Sequence, residues 1–329
     1  MHGTLENLVP ILLGALFGAV FGSFLNVVRV RMPEGQSLVL PGSHCMHCNQ
    51  PLAWWQNLPL LSWLLLRGRC HACGSPIPIL YPLVELAMAA LWAGCVAAAI
   101  PTAAISAPLG LLQAAAWAVF CWLMVLLAAL DWEHFWLPDR VTFPAIALGL
   151  LWQTVRATLL PQPLSLLQGE LLRAAGLAAL GSSVRPGQIS GQVSGQVSGP
   201  AFGPVFAALL FAALAALSGA AIVLLIRLVY WLVRRREGMG LGDAKLLAAL
   251  GAWLGFRAMI DAFLVAVLAA SLAALLGWVV LRWRRSTPDD SQDWSQMPLP
   301  LGSFLAVAAL VELFQPAWLL RLWMLRFPA

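Results

Sequence analysis

Two groups of side chains in this sequence have types and spacings suited to chemistry. Cys45, Cys48, Cys70 and Cys73 form two C-x2-C knuckles with 21 residues between them. Each knuckle aims two sulfurs at one point, and two knuckles close a tetrahedral four-sulfur set, the donor set of structural zinc. Four thiolates leave no open position for water. The ion is therefore expected to supply folding energy to a segment too small for its own core. His44, His47 and His71 stand beside the cysteines as spare ligands. Cys95 and Cys121 fall inside apolar runs and read as small buried hydrophobes.

The second group is acidic. Asp131 lies in ALDWEHFWLPDRVTFP, which also carries Glu133, His134 and Asp139, and Asp243 lies in GMGLGDAKLLAALGAWLG. Two carboxylates facing each other in a poorly hydrated site cannot both ionise, so one keeps a proton. The ionised one can draw a proton from water as it attacks a peptide carbonyl. The protonated one can polarise that carbonyl and then help the amine leave. Gly238, Gly240 and Gly242 lack Cβ atoms, which opens backbone conformations closed to other residues and lets an extended strand approach Asp243. Lys245, two positions on, is off the helical face of Asp243 and is expected to anchor to headgroups or a neighbouring carbonyl. The same carboxylates also fit helix capping, which suits Asp243 at a helix start and suits Asp131 poorly at a helix end. A proton relay remains open as well.

The elements that must position these groups are membrane helices. The chain has 329 residues, 61% hydrophobic and 10% charged, with a mean hydropathy of +0.85. Apolar runs at about 8–28, 81–100, 109–131, 140–159, 203–230, 244–257, 259–281 and 299–318 predict an all-α polytopic membrane protein of about eight spans. The first run has no basic n-region or small-residue cleavage site and reads as a permanent helix. With the N-terminus outside, the cytoplasmic segments hold 13 of the 19 Lys and Arg residues, including the Arg234–Arg236 run. This distribution explains the net charge of +5 without nucleic acid. The expected organisation is a first transmembrane helix (1–28), a cytoplasmic zinc-binding segment with the four cysteines (29–80) and a transmembrane core (81–329). A flexible external insertion at 160–202 contains GQISGQVSGQVSG. A polar loop, 286–298, is expected on the cytoplasmic side. The 16 tryptophans suit interfacial belts. Glu85 reads as a substrate contact, an Arg partner or an interface residue; Asn26 reads as an interhelical packing residue. Asp261 and Glu312 are expected to pair locally.

Four motifs, in order, resemble those of the bacterial type IV prepilin peptidases, the leader peptidase/N-methyltransferases. They are GSFLNVVRVRMP (Gly22–Pro33), NLPLLSWLLLRGRCHAC with YPLVEL (Asn57–Cys73, Tyr81–Leu86), DWEHFWLPDRVTFP (Asp131–Pro144) and GMGLGDAKLLAALGAWLG (Gly238–Gly255). The resemblance implies that Asp131 and Asp243 are the catalytic pair of a G-x-G-D aspartyl protease, with Asp139, Gly240, Gly242 and Lys245 in support. It implies cleavage after a glycine in the leader of type IV prepilins and pseudopilins, near the cytoplasmic face of the bacterial inner membrane. It also implies N-methylation of the new terminus with S-adenosylmethionine, an activity linked to the zinc segment, where Gly68 and Arg69 are candidates. Leu80 stands where the family often has a basic residue. No Gly-rich dinucleotide fingerprint marks a cofactor pocket. Two other classes of function stand against this one: a proton-coupled transporter, which would be expected to repeat its spans, and a non-catalytic pilus or secretion assembly protein.

Overall fold

The computed structural model describes residues 2–159, 202–235, 239–284 and 299–315. The expected insertion from 160 to 201, the loop 286–298, Arg236 and Gly238 lie outside the described residues. Among the described residues the chain is all-helical. Its helices are α1 (His2–Arg31), the short α2 (Leu61–Leu65), α3 (Leu80–Ile105), α4 (Ala107–His134), α5 (Asp139–Leu159), α6 (Phe202–Arg234), α7 (Leu241–Leu254), α8 (Phe256–Arg284) and α9 (Leu301–Phe314). Each of the eight expected spans is a helix. Five of them, α1, α3, α4, α6 and α8, are long and apolar enough to cross a bilayer. Among the described residues this measure gives five spans, so the expected eight are not confirmed. At 14 residues, α7 and α9 reach only about 21 Å, short of a hydrocarbon core of about 30 Å.

The described helices fall into two compact units. The first holds the described residues of Met1–Leu137 and Ala266–Gln315, the second those of Pro138–Val265. In the first, α1 packs on α3, α3 on α4, and α4 on α9. The α1–α3 seam follows from GALFGAVFG. Gly14, Gly18 and Gly22 recur every fourth residue and so line one face. A Cβ at Gly18 would lie 2.4 Å from the Met88 carbonyl oxygen, and one at Gly22 would lie 2.8 Å from Glu85 Cα. Only glycine permits this approach, and it brings Glu85 against the end of α1. The other face of α1 exposes Leu12, Leu16, Val20 and Phe24, apolar surface that lipid accommodates readily.

In the second unit α7 is the core, packed by α5 and α6. All of its residues from Ala244 to Trp253 except Lys245 are buried. Gly251 and Gly219 set the α6–α7 approach; Cβ atoms there would lie 2.4 Å from the Ala215 carbonyl and 2.7 Å from the Leu247 carbonyl. On the α5 side, Trp253 Nε1 donates to the Ala145 carbonyl at 2.8 Å, and Gln153 Nε2 donates to the Trp253 carbonyl at 2.8 Å. Gly255, at φ +82°, closes α7 in the left-handed region, where its amide reaches back to Gly251 O at 3.0 Å.

Candidate active site and metal centre

Asp131 sits in the last turn of α4, and Phe135, left-handed at φ 51°, ends that helix. A carboxylate there opposes the helix dipole, and Asp131 is only 6% exposed. The compensation comes from α9. Asp131 Oδ2 accepts from the Ser303 amide at 2.8 Å and from the Ser303 hydroxyl at 3.2 Å. Ser303 lies in the first turn of α9, so the positive end of that helix meets the carboxylate. A Cβ on Gly302 would stand 2.9 Å from the same oxygen, so a side chain at that position would push the carboxylate from its Ser303 donors. Neither Gly302 nor Ser303 is among the residues expected from sequence. Ser303 is 172 positions from Asp131, in a run whose local pattern reports only an apolar helix.

Arg29 is the junction of three motifs. It is 5% exposed, it ion-pairs with Glu133, and its guanidinium lies over the Tyr81 ring at 5.4 Å. It therefore does more than bias topology. Asn26, one turn earlier, donates to the Tyr81 carbonyl at 3.1 Å, the interhelical bond expected of it.

In the second unit Asp243 occupies the first turn of α7 and is half-buried. Gly240 is the residue before that helix, at φ −72°, ψ 145°. That conformation is open to any residue, so the expected need for special glycine backbone angles does not hold at Gly240. A Cβ there would sit 3.5 Å from Asp243 Oδ2, an ordinary contact, so the structure itself does not require glycine at this position. Gly242 lies inside the first turn of α7. Lys245 takes neither expected anchor. It ion-pairs with Asp139, in the first turn of α5, and lies 5.8 Å from the centre of the Phe143 ring. The pair joins the third and fourth motifs within this unit. Asp261 faces Arg257 at 3.9 Å, the local pairing expected.

The four cysteines converge. Their sulfurs all lie within 4.8 Å of one another, and Cys45 Sγ is 3.9 Å from Cys73 Sγ. Tetrahedral Zn–S bonds of about 2.3 Å require sulfurs about 3.8 Å apart, so the site fits zinc. The knuckles are built alike. The amides of Asn49 and Gly74 reach back to the carbonyls of Cys45 and Cys70, each at 2.9 Å, and Asn49 and Gly74 are both left-handed, at φ 55° and 71°. Asn and Gly are the residues that tolerate that region. The amides of Cys48 and His47 pull the Cys45 thiol down to about 6. The Ser75 hydroxyl and amide lower Cys73. Cys48 goes up to about 11, because the lowering by the Gln50 amide is outweighed by desolvation and by the thiols of Cys73, Cys45 and Cys70. Such crowding of thiolates calls for a cation. Gly68 and Arg69 form the entry to the second knuckle. Gly68 is left-handed at φ 67° beneath the Trp63 ring, where a Cβ would lie 2.9 Å from a ring carbon, and Arg69 pairs as a bridge with Pro76. Cys95 and Cys121 are fully buried, as expected.

Comparison with known proteins decides the family. The model of the bacterial peptidase A24 N-terminal domain matches residues 16–99. That of the type IV leader peptidase family matches residues 118–185 and 196–279. A prepilin leader peptidase/N-methyltransferase of Aeromonas hydrophila is 31% identical, over 91% of this chain and 88% of the relative. Proteins of the same name from Stutzerimonas stutzeri and Myxococcus xanthus are each 32% identical over 92% of this chain, and over 90% and 77% of their own lengths. The chain belongs to the type IV leader peptidase family. No solved structure matches it. The family match is interrupted over 186–195, which overlaps the Gly-Gln-Val-Ser repeat.

In this leader peptidase family member, purified chain should carry a single zinc ion by elemental analysis, and Cys70→Ser should lose it. Full zinc retention in that variant would refute the four-sulfur site. Glu133→Ala should destabilise the first unit by about 3 kcal/mol or more, because it strands the buried Arg29 charge. The double change Arg29→Met with Glu133→Leu should cost less, as read by denaturation in detergent. A larger loss in the double variant would contradict the pairing.

Proposed function

We propose that this chain is a membrane aspartyl endopeptidase that removes the leader of type IV prepilins and pseudopilins after a glycine. It then methylates the freed amine with S-adenosylmethionine. The observation that carries the reading is the Asp131 carboxylate, kept in a buried position at a helix end by two donors of another helix. No packing need explains such a group, and intramembrane carboxylates mark function. Family membership and the names of the three relatives support the same activity. They give no support to the transporter or the assembly reading.

In this reading Asp131 and Asp243 act as the acid–base pair. Water attacks the scissile carbonyl as one carboxylate takes its proton. The other, protonated, hydrogen-bonds the carbonyl oxygen and then supplies a proton to the departing amine. The pair titrates as a unit, with two macroscopic steps. Asp139 and Lys245 position the start of α7, and Gly240 and Gly242 leave space beside Asp243. The precursor's own apolar helix lies in the bilayer beside the enzyme and holds the bond in place, which reduces the entropic cost of reaction. Zinc, held by Cys45, Cys48, Cys70 and Cys73, is structural; it organises the segment 29–80 between the first transmembrane helix (1–28) and the protease core (81–329). S-adenosylmethionine supplies an electrophilic methyl group. The enzyme is placed in the bacterial inner membrane with its N-terminus outside and its site at the cytoplasmic face.

The test uses purified enzyme and a prepilin with a Gly–Phe junction, read by mass spectrometry. Wild type should remove the leader, and Asp131→Asn and Asp243→Asn should each slow cleavage by roughly 10²–10⁴-fold. With S-adenosylmethionine the product should gain one methyl group. Cleavage at wild-type rate in both variants would refute the aspartyl mechanism.

A further inference from the structure

The outward face of α2 is apolar and uncovered. Leu61, Leu64 and Leu65 stand at i, i+3 and i+4, so they share one side of the helix, and they are 56%, 64% and 69% exposed. Ser62, Trp63 and Leu66 lie on the other side, where they line a cavity between the zinc knuckles and the ends of α1 and α3. A helix bathed in water would turn polar side chains outward. Large apolar side chains grouped at a surface mark a place that another apolar body covers. We propose that the body is lipid: α2 is an interfacial helix, and its three leucines enter the leaflet in which α3 begins. The inference rests on the membrane spans and not on the cleavage or methyl-transfer steps.

Two contacts set the depth of α2. The amide of Leu60, the residue before the helix, donates to Glu85 Oε2 at 2.8 Å. Glu85 lies five residues past the start of α3, about 8 Å along that helix and inside the apolar span Leu80–Ala103. Across the seam, Gly22 of α1 meets the same level, where a Cβ would lie 2.8 Å from Glu85 Cα. Both spans turn large apolar side chains outward there: Phe21 and Phe24 on α1, Leu83 and Leu86 on α3. So α2 begins beside surface that lipid already covers, and its leucines continue that surface. From there the chain climbs toward the headgroups. Trp63 Nε1 donates to the carbonyl of Ile77, three residues before α3, at 3.2 Å. The exposed Arg67 and Arg69 follow, long side chains that keep an apolar stem in the interface and a charge in water. The backbone suits the same position, because hydrocarbon offers an amide no partner. Glu85 takes the Leu60 amide, and the carbonyls of Pro59, Leu58 and Leu60 take those of Leu61, Ser62 and Leu64 at 2.7, 3.0 and 3.2 Å. The precursor's apolar helix is the rival occupant of this face. Continuity with the outward faces of α1 and α3 favours lipid.

The test is photolabelling of the purified full-length chain, a single copy in each phosphatidylcholine nanodisc, with part of the lipid carrying a diazirine on its acyl chain. Peptide mass spectrometry locates the adducts. Label is expected on Leu61–Leu65 as well as on the exposed face of α1, which serves as the internal standard. The double variant Leu64→Asp with Leu65→Asp should cut the α2 label roughly tenfold, because charge is driven from hydrocarbon to water. Its α1 label should stay, and zinc content checks that the variant is folded. A labelled α1 beside an unlabelled α2 in wild type overturns the proposal whatever the variant does. Full α2 label in the folded double variant overturns it too. Adducts on α2 that vanish when a prepilin is bound would make the face a docking surface for the precursor helix, and would overturn the assignment to lipid. None of these results bears on peptide cleavage, which the aspartate variants test separately.

Discussion

A carboxylate at the carboxyl end of an apolar helix faces two costs at once. The helix dipole repels it, and hydrocarbon does not solvate it. At Asp131 both are met by the first turn of α9, where the Ser303 amide donates to Oδ2 at 2.8 Å and the Ser303 hydroxyl is shared between Oδ2 at 3.2 Å and the Ala128 carbonyl at 2.9 Å. Hydrogen bonds to a charged group contribute about 1.5–3 kcal/mol each, enough to hold the group in place without adding stability overall. Much of the first unit supports that arrangement. Glycine at 302 leaves the Asp131 carboxylate room to reach those donors. The α3 and α9 contacts on either side of α4 fix the helix that carries Asp131. Arg29 pairs with Glu133, two residues on, and so ties the same helix end to α1 and to Tyr81.

The zinc knuckles extend the same logic beyond the apolar helices. A segment of about 50 residues that leaves Val39, Trp54, Leu61, Leu64 and Leu65 exposed cannot offset its ordering entropy by burial alone. Four sulfurs converge where one ion would fix both knuckles, and the segment closes a cavity over the end of α1 and the start of α3. The Gly14–Gly18–Gly22 seam brings those two ends together.

The sequence was informative where chemistry is local. Cysteine spacing pointed to the four-sulfur set, and apolar runs located every membrane helix with ends within a few residues. Motif order pointed to the family. It was silent where partners are distant in the chain. Ser303 reaches Asp131 across 172 positions, Lys245 reaches Asp139 across 106, and Arg29 reaches Glu133 across 104. No periodicity encodes such pairs, since each residue looks locally like a helix-end charge or a small apolar-helix residue. The short helices show a different limit. Runs near 244–257 and 299–318 are apolar for most of their length, but their helices stop at 14 residues because Gly255 (φ 82°, ψ 172°) and Gln315 (φ −132°, ψ 64°) leave helical backbone angles.

The central claim is that Asp131 and Asp243 form one catalytic unit. The direct measurement is single-turnover cleavage of a prepilin by Asp131→Asn, Asp243→Asn and the double variant, against wild type. Residues that act as a unit show losses that do not add. The double variant is expected to be slowed about as much as either single variant. Losses that multiply in the double variant would mean two independent contributions, and would contradict a shared acid–base pair.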